Sequence, residues 1–292
     1  MVALIGIPLV LGLVWLGGWP FAGLVAAMSV GAQLEFYWML EKKGMRPDKM
    51  LGVVAGLLLL LTFTHGDVNL LLGAAGSDAE SFLRIAVLVL APVLALVLQL
   101  RRDNDEALTN VMGTLTGVFY VPVLMGTLLG LHHVAVRNAP VLLERSGVPL
   151  EGLASDGTGV GAAVILVVFA GIWTCDSFAY FGGRAFGKHK LFERVSPKKT
   201  WEGAASGAAG GIAVCIVLAV VLDGLVWQDG LVIGLAAGVL GQIGDLAESH
   251  LKRACNVKDS SQIIPGHGGI LDRFDSLLFV APVVYLYMLL VS

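Results

Sequence analysis

Between Ser249 and Asp275 the chain sets an unusual density of charge beside apolar sequence. Lys252 and Arg253 lead to Lys258-Asp259. A Pro265-Gly266-His267-Gly268-Gly269 turn follows, and Asp272, Arg273 and Asp275 then open a strongly apolar segment. A chain entering lipid does not ordinarily carry carboxylates, a guanidinium and an imidazole at the mouth of a helix, because each is expensive to desolvate. Their clustering points to a site for phosphates and metal at the membrane surface. Asp245 and Glu248, three apart, share one helix face, and Asp272 and Asp275 repeat that spacing on the next segment. A divalent cation takes oxygen ligands from separate elements of this kind. Magnesium typically uses one or two carboxylates together with phosphate and water. Calcium binding, a proton relay or plain interhelical hydrogen bonding would use the same residue types. The last of these does not account for the adjoining His-Gly-Gly turn and Lys/Arg cluster. His267 can bind phosphate, exchange protons or simply hold its loop.

Two further groups precede this one. In Asp176-Ser-Phe-Ala-Tyr-Phe-Gly-Gly-Arg184-Ala-Phe-Gly-Lys188, an acid lies near the end of an apolar span, where facing lipid is unfavourable. Gly182-Gly183 is expected to let the backbone approach a ligand. Arg184 and Lys188 share a helical face, although basic residues that only snorkel to the interface would look similar. In Ser196-Pro197-Lys198-Lys199-Thr200-Trp201-Glu202-Gly203, Ser-Pro is expected to start a helix with Pro in its first turn. The free N–H groups there, with Lys198 and Lys199, suit phosphate. An ordinary capped helix with topology-setting lysines has the same pattern.

The elements that position these residues are read as membrane helices. The chain is 57% hydrophobic and 14% charged, against roughly 25% charged in soluble domains, and its mean hydropathy is +0.83. The expected fold is all-α and polytopic. About nine spans are expected, near 2–17, 19–40, 50–65, 82–100, 107–131, 160–181, 203–222, 229–248 and 270–291. Gly17-Gly18-Trp19-Pro20 makes the first two a tight hairpin or a broken element. The first span reads as a retained helix rather than a secretory signal, since no Lys or Arg precedes Lys42. Of the 19 basic residues, all but Arg84, Arg137 and Arg145 fall on alternate loops or at their edges, near 41–49, 101–102, 182–202 and 249–273. By the positive-inside rule those loops are cytoplasmic and so is the N-terminus. Three regions follow: N-terminal helices over 1–131, an external loop over 132–159 able to hold a short surface helix, and a C-terminal catalytic region over 160–292. Cys175 and Cys215 read as packing residues, and the three cysteines have no disulfide or zinc spacing. His132 and His133 read as surface residues. Glu35 can support either the core or the site, and nothing near it in sequence decides.

Taken together, these residues resemble the phosphatidate cytidylyltransferase family, also called CDP-diacylglycerol synthases. The family's terminal pattern is Ser, then Lys-Arg, then Lys-Asp after four residues, then His-Gly-Gly, then Asp-Arg and Asp. The chain is similar to it throughout Ser249–Asp275, and the Asp176 and Ser196 segments also resemble the family. The resemblance implies a helical membrane enzyme, commonly a homodimer, that joins CTP and phosphatidic acid to give CDP-diacylglycerol and pyrophosphate. It implies magnesium with Asp245 and Asp272 as leading ligands, and a second, monovalent cation near these acids. Asp275 would hold a second ion or orient a basic residue. Lys198, Lys199, Lys252, Arg253 and Arg273 would divide between the triphosphate and the lipid phosphate, with Asp176, Arg184, Ser196 and Lys258 as further substrate contacts and His267 beside them. The partners expected are the nucleotide and membrane lipid, with no nucleic acid. The location expected is a bacterial inner (plasma) membrane, with the site on its cytoplasmic side. Two competing readings are a CTP-dependent lipid-alcohol kinase and an ion-coupled transporter using Asp176, Asp245, Asp272 and Asp275 as a relay. Clustering of the acids at one face beside basic loops favours the enzyme, as does the lack of an internal repeat.

Overall fold

A computed structural model describes residues 2–64, 78–101, 106–148, 157–261 and 268–291. Within these the chain is almost wholly helical, with one two-stranded hairpin. Six segments are long and apolar enough to cross a membrane: Ala79–Gln99, Ala107–Arg137, Thr158–Phe186, Trp201–Val221, Trp227–Ala254 and Leu271–Val291. The other three expected spans are also helical. Two contain short apolar stretches, Gly6–Leu16 and Lys49–Leu61, and the third is Gly18–Lys42. The break after the first helix falls at Gly17 and Gly18, with φ of +60° and +49°, a region open to glycine at little steric cost.

The chain divides into two compact units. One comprises Met1–Phe21, Leu131–His250 and Asp275–Ser292; the other comprises Ala22–Gly130 and Leu251–Phe274.

In the first unit lie α1 (Val2–Leu16), α7 (Ala139–Ser146), α8 (Thr158–Phe186), β1 (Lys190–Phe192), β2 (Ser196–Thr200), α9 (Trp201–Val221), α10 (Trp227–Leu235) and a π-helical turn, Ala236–Leu240. Most of α11 (Gly241–Ala254) and α12 (Leu271–Val291) belongs here too. Helix α9 is held on two sides by glycine ladders. Gly203, Gly207 and Gly211 face α8, where an added Cβ would meet the carbonyl oxygens of Ala179 at 2.8 Å, Cys175 at 2.7 Å and Gly171 at 3.1 Å. Gly230, Gly234 and Gly238 bring the chain from α10 through the π turn equally close to the backbone of α9. Such small-residue contacts suit helices in lipid, where association depends on close packing. The buried Asp229 ties three elements together: it accepts from the Val226 N–H at 2.9 Å, the Tyr287 hydroxyl at 2.6 Å and Arg145 at 3.2 Å. His132 is buried rather than a surface residue. Its ring fills the space left by Gly17 and Gly161 and lies 5.4 Å from the ring of Phe21. The expected external loop therefore begins in helix, and α7 supplies its short helix, with Leu142 and Leu143 buried.

The second unit holds most of α2 (Gly18–Lys42), with α3 (Lys49–Leu61), α4 (Asp78–Gln99) and α5 (Ala107–Val118), which continues through a π turn at Phe119–Val123 into α6 (Leu124–Arg137). Ala55, Leu59, Val87, Ala91 and Val118 form one core cluster. Tyr37 is buried with its hydroxyl donating to the Thr114 carbonyl at 2.8 Å, and Gln33 bridges it to the Gly52 carbonyl. Asp48 caps α3 by accepting from the Leu51 N–H at 3.0 Å. Helix α4 exposes Phe82, Ile85, Val89, Val93 and Leu96, an apolar surface suited to lipid.

Candidate active site

In the first unit, a cavity of about 400 Å³ is lined from α8 by Asp176, Tyr180, Gly183 and Arg184, from β2 by Lys198, Lys199 and Thr200, and from α11 by Gln242 and Asp245. The β1–β2 hairpin carries the lysines there. Its strands pair antiparallel with Lys190 opposite Thr200 and Phe192 opposite Ser196. Ser196-Pro197 thus opens a strand, not a helix. The helix begins five residues later at Trp201, where the Thr200 hydroxyl accepts the Gly203 N–H at 3.2 Å. Pro197 fits a sheet of only two strands, in which each strand has an unpaired edge, and Lys198 and Lys199 after it both line the cavity. Glu202 fastens the hairpin's entry by accepting from the Lys188 and His189 N–H groups at 3.1 and 3.2 Å, with the His189 ring at 2.6 Å.

The Lys199 ammonium lies 2.5 Å from Asp245, and Ser249 donates to the other oxygen of that carboxylate at 3.3 Å. Arg184 stands on the exposed rim, its guanidinium 3.4 Å from the Tyr180 hydroxyl. Gln242 donates to the Ala204 carbonyl at 3.0 Å and to the Gly238 carbonyl at 2.5 Å. Gly238 lies in the π turn, and Gln242, bonded to its carbonyl, lines the cavity. Asp275 sits beside the turn of α11 that carries Asp245: an added Cβ on Gly244 would lie 2.7 Å from the Asp275 carbonyl. Glu248 is fully buried and does not join Asp245 in lining the cavity. Gly182 packs against the Ser206 hydroxyl of α9, so one glycine of the pair serves helix packing while Gly183 borders the cavity. Ser196 does not line it.

In the second unit, Asp272 has one oxygen on the Lys252 ammonium at 2.6 Å. The other accepts from the Ser260 N–H at 3.0 Å, the Ser260 hydroxyl at 3.0 Å and the Gly269 N–H at 2.8 Å. Arg253 is exposed and donates to the Val257 carbonyl at 3.1 Å, one turn along. Arg273 is exposed at the start of α12. Lys258 borders a second cavity of about 870 Å³, with Glu35, Trp38, Lys49 and Ser261. His267 lies outside the described residues. Four polar residues escape a motif-based reading, Thr200, Gln242, Ser260 and Ser261, whereas Glu35, open in the sequence between core and site, borders the second cavity. The four are of common types, and only folding brings them to the charged groups. Thr200 alone had a sequence signal, as a hydroxyl two residues before Glu202.

Among the described residues no three Asp, Glu, His or Cys side chains are grouped to hold a metal ion. Asp245 and Asp272 nevertheless each hold an ammonium. Both sites therefore attract a cation, and each fits an ion that takes its remaining ligands from phosphate and water.

The family model described as the Cytidylyltransferase family matches residues 1–291. The phosphatidate cytidylyltransferase of Synechocystis sp. is 33% identical over 99% of this chain and 94% of its own length. That of Bacillus subtilis is 35% identical over 96% and 93%. A chloroplastic phosphatidate cytidylyltransferase of Arabidopsis thaliana is 36% identical over 95% of this chain and 68% of its own. With the match running from the first helix to the last, the chain belongs to the cytidylyltransferase family.

Proposed function

We propose that this protein transfers the cytidylyl group of CTP to phosphatidic acid, yielding CDP-diacylglycerol and pyrophosphate for phospholipid synthesis. The observation that carries this reading is the family match over residues 1–291 together with a cavity in which lysines and carboxylates meet. Both substrates are polyanions, and Lys198, Lys199 and Arg184 offer the charge to draw a phosphate chain into the cavity. A lipid phosphate oxygen attacks the α-phosphorus and pyrophosphate departs, so the lipid brings its own nucleophile. Alignment and electrostatic stabilisation then account for most of the catalysis. On this reading Lys199 would serve a substrate phosphate, and Asp245 and Asp272, which here hold the Lys199 and Lys252 ammonium groups, would each be a magnesium ligand. Magnesium, when bound, supplies charge neutralisation and a template for the phosphates. A second, monovalent cation beside these acids, with Asp275 as its neighbour, belongs to the same proposal. Lys252, Arg253, Lys258, Arg273 and His267 complete the anion contacts.

The wider setting is also proposed. The chain would be an integral protein of a bacterial inner (plasma) membrane with nine spans, a cytoplasmic N-terminus and a cytoplasmic active site, working as a homodimer. The test of function is incubation of the purified protein with magnesium, phosphatidic acid and CTP labelled at the α-phosphate. Label is expected in the lipid. Transfer of label only from the γ-position would make the protein a lipid kinase, and no transfer from either position would reject the proposal.

A further inference from the structure

We propose that Glu35 is a positioning residue that holds Asp272 in place through Ser260 and the start of α12, an inference that rests on the functional reading above. Glu35 is only 3% exposed, and a carboxylate so buried must be hydrogen-bonded to be tolerated. Four donors lie within hydrogen-bond distance of it. One oxygen takes the Ser261 hydroxyl at 2.5 Å and the Ile270 N–H at 2.9 Å; the other takes the Ser260 hydroxyl at 2.8 Å and the Leu271 N–H at 2.8 Å. One side chain of α2 therefore joins Ser260-Ser261 to Ile270-Leu271, the two ends of the stretch that precedes Asp272. The Ile270 and Leu271 N–H groups are among those that a helix start leaves without an internal partner, and a negative charge there is favourable.

The link to Asp272 is direct. The Ser260 hydroxyl lies 2.8 Å from Glu35 and 3.0 Å from Asp272. It carries a single hydrogen and donates to one carboxylate at a time. Asp272 keeps the Ser260 and Gly269 N–H groups whichever way that hydrogen turns. The Ser260 backbone and hydroxyl thus give Asp272 its orientation, and Glu35 gives Ser260 its own. The packing leaves no slack. A Cβ on Gly269 would collide with the Ser260 hydroxyl and with Glu35, and one on Gly31, a turn earlier on α2, would collide with the Ile270 side chain.

The experiment uses the full chain in detergent, comparing wild type with Glu35→Gln and Ser260→Ala. The Glu35→Gln change keeps the size of the side chain but turns an NH2 toward a backbone N–H that cannot rotate away. Four quantities are read: kcat and KM for CTP, binding of Mn2+ alone by electron paramagnetic resonance, amide exchange near 260 and 270, and the thermal midpoint. Groups that orient a metal ligand typically change affinity or activity about 10–100-fold when removed. Glu35→Gln is expected to lower kcat and Mn2+ affinity in that range, to change KM for CTP less, and to speed exchange at Ile270 and Leu271. Ser260→Ala is expected to move kcat and Mn2+ affinity the same way by a smaller factor. Wild-type kcat and Mn2+ affinity in folded Glu35→Gln, with only the midpoint lowered, would reduce Glu35 to a structural residue. If that variant does not fold, wild-type values in Ser260→Ala overturn the proposal. Should the wild type form no CDP-diacylglycerol, the functional reading fails, and Mn2+ binding and amide exchange still decide the role of Glu35.

Discussion

The two lysine–carboxylate pairs differ in a way that separates activity from stability. Lys199 and Asp245 keep 28% and 32% of their side-chain surface exposed, and a pair so wetted contributes only about 0–1 kcal/mol to folding. Lys199→Gln is therefore expected to lower kcat/KM by at least about tenfold, a barrier increase of about 1.4 kcal/mol, while the thermal midpoint stays within error. Lys198→Gln should act in the same direction. Steady-state kinetics on both variants checks this, and unchanged parameters in both would leave the hairpin lysines as topology signals. Lys252 and Asp272 are only 12% and 10% exposed. Removing one charge from a buried pair costs about 3–5 kcal/mol. Asp272→Asn should accordingly lose turnover and melt at a clearly lower temperature, whereas Asp245→Asn should lose turnover alone. Equal melting of the two variants would show that the pairs do not differ in this way.

At the scale of elements, the cavity depends on how closely α8, α9 and α11 approach. The glycine ladder on α9 sets one of those distances, since the Gly207 position lies within 2.7 Å of the Cys175 carbonyl for any added Cβ. A carbonyl in a helix cannot move aside without displacing its turn. Gly207→Leu is expected to destabilise the protein by roughly 2 kcal/mol or more and to widen the cavity between Asp176 and Lys199. Thermal unfolding together with CTP affinity tests this; a wild-type midpoint would mean that the two helices separate at little cost. The hairpin is a second such device. The β1–β2 pairing, with Lys190 opposite Thr200, fixes the segment from which Lys198 and Lys199 both line the cavity.

For the whole molecule, orientation in the membrane follows from span counting that needs only the strongest helices. One candidate span, Thr158–Phe186, separates Glu144 from Lys190, and two more, Trp201–Val221 and Trp227–Ala254, separate Lys190 from Asp259. Lys190 and Asp259 should thus share one side, and Glu144 should lie on the other. By the positive-inside rule, the abundance of Lys and Arg near the first two predicts that their side is cytoplasmic. Single cysteines at these three exposed positions, in a background with Cys175, Cys215 and Cys255 replaced, are the test. An impermeant thiol reagent on right-side-out vesicles is expected to label position 144 alone. Labelling at 190 or 259 without permeabilisation would put the site on the wrong side for CTP.

Charge, hydropathy and motif spacing determined the helical membrane character and the family, and they singled out Asp245, Asp272, Lys199 and Lys252 as candidate chemical groups. These are legible because desolvation in lipid makes each charge in an apolar chain conspicuous and because phosphate chemistry requires particular residue types. The ladders Gly203-Gly207-Gly211 and Gly230-Gly234-Gly238 stood in the sequence at helical spacing, but their partners did not. Only the tertiary structure decided that Ser196–Thr200 is a strand, that His132 is buried, that Lys199 meets Asp245 while Lys252 meets Asp272, and that Glu35 braces Ser260. Each of these outcomes depends on residues distant in the chain that compete for one donor, one acceptor or one packing space. Local propensity carries no record of which of them will win.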